Sequence, residues 1–444
     1  MKPLKNPLLR RLVQNSGYLL SSSTLAAALS MVQSILAARL LGVAGFGVLG
    51  TIIQFVTVVN RLTSFRMTEV VVKFVGGHQA RGEAVQAGAT FKAAGITEAA
   101  SSVLAFVLVG LLAPWAAAKL VHMPEAAPLI LAYGLVLLFN LISESAQGLL
   151  AVTNQFRQIA AFNLTQSALT LLLVGGAYAA KLGLPAVLGA YLIGKVVAAS
   201  CLTVAAWVQA RRLWGGGWWR LPLTVLRSER RPMTSFAINT NLNGTLNLIT
   251  HDSELLWLSA LSTPTQAGYY KLGMAILNLI LIPVDSLINP TYREVAREVA
   301  TRQWSNVRYL LRSGSVMAAA YSLTASIVLV IFGEQLIAAL WGPEFLPTSY
   351  DVLLILLLGA FAANTLYWAR RTLLALGFPG FPTLVNLVAA VLKVGFTLAL
   401  VPAGGAVAMA AILSAYFAVT STVIAGKVLL IIRRQSDSDT AREG

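Results

Sequence analysis

The sequence predicts an all-α polytopic membrane protein with about twelve transmembrane helices in two six-helix lobes related by a parallel pseudo-repeat. Three observations predict it. Of 444 residues, 57% are hydrophobic and only 11% charged, where a soluble chain carries about 25% charged residues. The apolar residues gather into runs long enough to cross about 30 Å of hydrocarbon. The basic residues alternate between the connections of those runs, as membrane topology demands.

Twelve spans are expected, at approximately 14–41, 46–65, 88–112, 127–147, 159–180, 184–209, 235–261, 267–289, 311–332, 351–369, 381–401 and 404–432. The apolar stretch after the basic N-terminus (Lys2, Lys5, Arg10, Arg11) is too long for a cleavable signal and reads as the first full span. The two termini and the even-numbered connections, counted with the adjoining ends of their spans, hold 27 of the 33 basic residues. The positive-inside rule then places both termini in the cytoplasm. The net charge of +16 is distributed by topology and not on one basic face, which argues against nucleic acid as a partner. The single cysteine, Cys201, excludes an intrachain disulfide, and His78, His122 and His251 lack ligand spacing, so neither metal nor cofactor is expected.

The longest connection, RRLWGGGWWRLPLTVLRSERRP from Arg211 to Pro232, reads as a flexible segment at the membrane interface, where tryptophan is enriched. It divides the chain into an N-lobe (1–210), a cytoplasmic linker (211–233) and a C-lobe (234–444) with a short cytoplasmic tail. The halves repeat weakly. Ala44-Gly45-Phe46 matches Ala267-Gly268-Tyr269, and Val107-Leu108-Val109-Gly110 matches Val330-Ile331-Phe332-Gly333, both 223 positions on. Asn163-Leu164 matches Asn386-Leu387 at the same offset, and Leu149-Leu150-Ala151 matches Leu373-Leu374-Ala375 at 224. Six spans per half make the repeats parallel, with an axis along the membrane normal.

The seventh span carries an unusual polar load. At about 100° per residue, Asn239, Asn243, Asn247, Thr250 and Glu254 share roughly 80° of one helix face. In the first span, Asn15, Ser22, Ser30 and Gln33 do the same. Such groups are costly against lipid and belong against protein or a watery cavity. Together they suggest the wall of a solute pathway.

The residues Ala37-Ala38-Arg39-Leu40-Leu41-Gly42-Val43-Ala44-Gly45-Phe46-Gly47 resemble the motif that closes the first hairpin of oligosaccharide flippases. Asp252-Ser253-Glu254-Leu255-Leu256 followed by Ala267-Gly268-Tyr269-Tyr270, Pro290-Thr291-Tyr292-Arg293-Glu294, and Trp341-Gly342-Pro343-Glu344-Phe345 resemble later motifs of that group. The chain thus resembles the polysaccharide or O-antigen (lipid-linked oligosaccharide) flippases of the multidrug/oligosaccharidyl-lipid/polysaccharide exporter superfamily. The resemblance implies two lobes forming a V that opens alternately to each side of a bacterial inner membrane. It implies a polyprenyl-diphosphate-linked glycan moved to the outer leaflet for lipopolysaccharide or other surface polysaccharide, no enzymatic chemistry, and polymerase or glycosyltransferase machinery as partners.

A diphosphate headgroup needs cations in a low-dielectric passage. Lys195 and Lys393 lie near mid-membrane, where a charge is functional or paired within its lobe. Arg61 and Arg66 are spaced as a basic rim for phosphate, or serve as interfacial anchors with Arg66 paired to Glu69. Asn239, Asn243 and Asn247 suit sugar hydroxyls or interhelical hydrogen bonds. Asp252, Glu254 and His251 are the candidates for H+ or Na+ coupling; Lys271 is an alternative neutralising partner for one carboxylate. The competing function is a multidrug/cation antiporter of the same fold. It wants acidic groups in the cavity, but the first span has no Asp or Glu between Asn15 and Ala38. No P-loop is present.

Overall fold

The computed structural model describes residues 7–248 and 253–443. The described residues form helices α1 (Pro7–Thr63), α2 (Met67–Val70), α3 (Gly76–Ala80), α4 (Ala84–Ala116), α5 (Ala127–Gly134), α6 (Val136–Phe139), α7 (Ser143–Val152), α8 (Phe156–Ala179) and α9 (Leu184–Trp214). They continue with α10 (Arg230–Asn247), α11 (Glu254–Leu261), α12 (Pro264–Ala300), α13 (Trp304–Leu340), α14 (Thr348–Thr365), α15 (Ala369–Ala375) and α16 (Gly380–Glu443). Nine membrane-length apolar helices are found among the described residues. Two of them are too long for one crossing: 57 residues in α1 would reach about 85 Å as one helix. Gly42 (φ 66°, ψ −178°) splits α1, and Gly405 (φ 52°, ψ −135°) splits α16. Each therefore supplies two spans, and α10 with α11 occupies the region of the expected seventh.

Helix ends follow local chemistry. Pro185 sits in the first turn of α9, Arg211 and Arg212 in its last, and Gly215 at φ 79° ends it; basic groups there favour the negative end of the helix dipole. Thr263 caps α12 by accepting from the Gln266 backbone N–H at 3.3 Å, with Pro264 in the first turn.

Two spans expected as continuous are broken. The fourth is α5 and α6, a break at Asn140–Ile142, then α7; the tenth is α14, a turn at 366–368, then α15. In each case side-chain hydrogen bonds take over backbone groups that a continuous helix would pair internally. The repeat is visible in these elements. Phe156 opens α8 and Gly380 opens α16, 224 positions apart. The short helices α7 and α15 each follow a break, and Pro124–Ala126 and Pro343–Phe345 are matching 3-10 turns.

The chain divides into two compact units. The first holds Met1–Leu41 and Leu49–Leu256; the second holds Gly42–Val48 and Trp257–Gly444. Within the first, Val71, Val75, Phe91, Leu149, Ala206 and Trp218 pack together. Within the second, Val295, Val307, Leu311, Trp368, Leu373 and Val428 do. This grouping differs from a boundary at 234, because α10 packs in the first unit: Ala237 is buried there, with Met233 and Phe236 against the same core. The linker also differs from a flexible segment. Trp218 is buried against Phe91 (ring centroids 5.3 Å), Trp207 (5.1 Å) and Trp214 (6.3 Å), and Lys92 Nζ donates to the Leu221 carbonyl at 3.0 Å. The contacts of the buried Trp218 ring with Phe91, Trp207 and Trp214 supply the area that holds it.

Candidate functional site

In the first unit, the end of the second span is tied into a polar knot. α1 stops at Thr63, and Arg66 takes a left-handed conformation (φ 51°) before α2. The Glu144 carboxylate accepts from Ser64 Oγ at 2.9 Å and from the Met67 backbone N–H at 2.8 Å, while Thr68 Oγ1 donates to the Glu144 carbonyl at 2.9 Å. Behind it lies Glu98 of α4, 4% exposed. Its carboxylate accepts from the backbone N–H of Glu144 (2.7 Å) and of Ser145 (2.8 Å), and from Ser145 Oγ (2.6 Å). These bonds satisfy orphan donors at the start of α7. From α10, Asn241 Nδ2 donates to the Ser64 carbonyl, and Thr245 Oγ1 donates to Asn241 Oδ1 at 3.2 Å. Asn241, which lies off the face shared by Asn239, Asn243 and Asn247, thus ties α10 to the chain break after α1.

On that rim Arg66 pairs with Glu69 at 3.2 Å, both about two-fifths exposed, a geometry of modest energetic value in water. Arg61 is exposed. The side chains of Asn239, Asn243 and Asn247 lie outside the described residues, as do His251 and Asp252. Glu254 is buried in the first turn of α11 and is not free.

The intramembrane lysines share one kind of partner. Lys195 Nζ lies 5.6 Å from the ring centroid of Tyr133 in the first unit. In the second unit, Lys393 Nζ lies 5.3 Å from that of Tyr416 and Lys271 Nζ 3.8 Å from that of Phe46. Lys393 is buried at a 320 Å³ cavity formed by α16 residues before and after Gly405, including Leu392, Phe396, Ile412 and Tyr416. Lys271 also donates to the Phe46 carbonyl at 3.1 Å. Among the described residues neither Lys195 nor Lys271 forms an ion pair, so the described contacts of Lys271 go to Phe46 and not to a carboxylate.

Three acidic residues escaped the sequence reading. Glu98 and Glu144 form the knot above, and Asp285 of α12 is an exposed carboxylate with no partner among the described residues. Charge inside an expected span was the available signal for all three. Outside the spans, His78 is buried between two carboxylates: Nδ1 lies 2.7 Å from Glu83 Oε2 and Nε2 3.0 Å from Glu229 Oε2. Arg81 Nη2 closes the group at 2.8 Å from Glu83. The Arg81 guanidinium, then His78, hold the Glu83 carboxyl down to about 2. Among the described residues no three His, Cys, Asp or Glu side chains are gathered to hold a metal ion.

A family model described as "Polysaccharide biosynthesis protein" matches residues 12–291. The chain belongs to this polysaccharide biosynthesis protein family. The fold agrees with solved transporters. An inward-facing multidrug resistance transporter of the MATE family in the MOP superfamily superposes with TM-score 0.71 at 13% identity, covering 93% of this chain and 96% of its own. Lipid II flippase MurJ in an inward closed conformation gives 0.66 at 13% identity, over 93% and 91%. A Pyrococcus furiosus MOP superfamily transporter, described by the reverse polarity of its binding pocket, gives 0.60 at 13%, over 96% of each chain. Curated proteins give no significant match. This family member is therefore a multi-pass membrane protein with a transporter and flippase fold.

Proposed function

We propose that this member of the polysaccharide biosynthesis protein family is a flippase for a polyprenyl-diphosphate-linked oligosaccharide. It moves the lipid from the cytoplasmic to the outer leaflet of a bacterial inner membrane by alternating access, with both termini cytoplasmic. The observation that carries the reading is the treatment of the intramembrane lysines. Lys195, Lys271 and Lys393 rest against aromatic rings. An aromatic face stabilises an ammonium by about 0.5–2 kcal/mol without cancelling its charge. A cation held against a ring, as Lys195 is against Tyr133, remains attractive to a diphosphate, whereas a cavity for organic cations calls for carboxylates. The family match and the likeness to a lipid II flippase support the same substrate class. Arg61 and Arg66 supply the rim at which the phosphates enter, and Asn239, Asn243 and Asn247 of the seventh span are assigned to the sugar hydroxyls. Glycosyltransferases and a polymerase act before and after this step.

The test is flipping of a fluorescent polyprenyl-diphosphate glycan in proteoliposomes. Wild type is expected to flip it, and a folded Lys195→Ala/Lys393→Ala protein to lose at least tenfold in rate. Equal rates would remove the cationic pathway.

A second reading, a cation antiporter, is favoured by Asp285 and by the likeness to multidrug transporters. Export of a cationic dye that depends on Asp285, with no flipping of the glycan lipid, selects it.

A further inference from the structure

A cavity of 440 Å³ opens in the first unit between α4, the break before α2, the linker and the start of α10. Its walls include Phe65, Ala94, Thr97, Leu226, Met233 and Ile238, and Arg230 stands on its rim. A shallower depression continues from it over Arg230, Arg231, Thr234 and Ser235. Both arginines are exposed and form no ion pair among the described residues. An apolar slot leading to two uncommitted guanidinium groups is complementary to an anionic amphiphile. Arginine forks bind phosphate oxygens in a bidentate manner.

The surroundings identify the amphiphile as a bilayer lipid. Ile238 on the slot, and Trp219 and Val225 on the linker, are exposed by 50%, 46% and 37%, and the Arg220 guanidinium lies 4.6 Å from the ring centroid of Trp219. Exposed Trp and apolar side chains interleaved with arginine mark a surface at headgroup level. The linker that forms one wall is held in place by the Trp218 aromatic cluster and by Lys92 on the Leu221 carbonyl. The slot is thus part of the packed structure at the membrane interface.

We propose that this slot binds an anionic phospholipid of the surrounding bilayer, with one acyl chain in the cavity and the phosphate on Arg230 and Arg231. The bound lipid would complete the contact between linker and α4. None of Lys195, Lys271 and Lys393 lines the cavity.

Native mass spectrometry of the delipidated protein, titrated with phosphatidylglycerol and phosphatidylcholine of identical chains, tests it. Wild type is expected to bind one phosphatidylglycerol at least tenfold more tightly than phosphatidylcholine. Arg230→Gln/Arg231→Gln is expected to erase that preference. Thr97→Trp, at an exposed wall position, is expected to weaken both lipids about tenfold, and Ile238→Trp serves if the first variant melts early. Arg211→Gln/Arg212→Gln, which changes basic residues off the slot, is expected to keep the preference. The proposal is overturned by equal affinities in wild type, by a preference that survives the Arg230/Arg231 change, or by equal loss in the Arg211/Arg212 control. It is also overturned if polyprenyl phosphate alone occupies the site, since the slot would then belong to the transport substrate.

Discussion

Glu98 shows how much one side chain can hold at the residue scale. Its carboxylate satisfies two backbone N–H groups and one hydroxyl at the start of α7, all within 2.8 Å. Removing it leaves buried donors without acceptors, each costing about 1–3 kcal/mol. Glu98→Ala is therefore expected to destabilise by about 3 kcal/mol, read as a lowered midpoint in a chemical denaturation series. Glu98→Gln keeps one acceptor oxygen and should fall between. A change under about 0.5 kcal/mol for the alanine variant would mean that water replaces the carboxylate. Glu83 offers a pH counterpart. Its carboxyl is held near 2 in the folded protein, below its ordinary value of 4.5, chiefly by Arg81 and then by His78. A depressed carboxylate contributes stability that is present above its unfolded pKa and lost as pH falls through the folded one. Glu83→Gln should therefore melt below wild type at pH 6, and the gap should close between about pH 4.5 and 2. A gap independent of pH would place the effect in packing.

At the element scale, the helices were legible because hydrophobic run length is a direct consequence of membrane thickness. The breaks before α7 and α15 were not. They depend on partners distant in sequence, such as Glu98 for Ser145, or Trp368 Nε1 donating to Ser315 Oγ at 2.7 Å. The linker misled for a similar reason: its glycine run suggested freedom, but Trp218 and Lys92 fix it from outside the segment. The hairpin motif illustrates the opposite case, where residue identity was informative. A Cβ on Gly47 would strike the Pro264 carbonyl, and one on Gly268 would strike the Val43 carbonyl. Both obstacles are backbone, so neither can swing aside. Gly47→Ala and Gly268→Ala should each cost more than an ordinary helix Gly→Ala change, which is stabilising by about 0.5–1 kcal/mol. A folded yield and melting temperature at or above wild type would show that the two segments can separate without loss. Gly42, at φ 66° and ψ −178°, adds a backbone conformation essentially reserved for glycine.

For the whole molecule, the pseudo-repeat reproduces backbone but not chemistry. Glu98 in the first unit and Ser322 in the second are 224 positions apart; the first accepts three bonds at the start of α7, while the second accepts one from Asn364 Nδ2 at 2.9 Å. Repeat offsets in the sequence predicted the shared helix frame, and could not predict this divergence, because packing tolerates both. The sequence offers a class of candidates for the site, intramembrane lysines and a polar seventh span. The aromatic partners of those lysines were not, since Phe46 meets Lys271 only through the fold. Asp285 is the sharpest case of unshared chemistry. It stands in α12 just after Pro283, exposed and without a partner among the described residues. Nothing described in the fold depends on its charge, so Asp285→Asn should leave the melting temperature unchanged. A charge retained at such a position is instead expected to act in transport. The same variant should slow transport about tenfold, equivalent to ~1.4 kcal/mol of barrier, and flatten its dependence on an imposed H+ or Na+ gradient. Loss of rate with the gradient response intact would assign Asp285 to substrate contact, and unchanged transport would remove it from the mechanism.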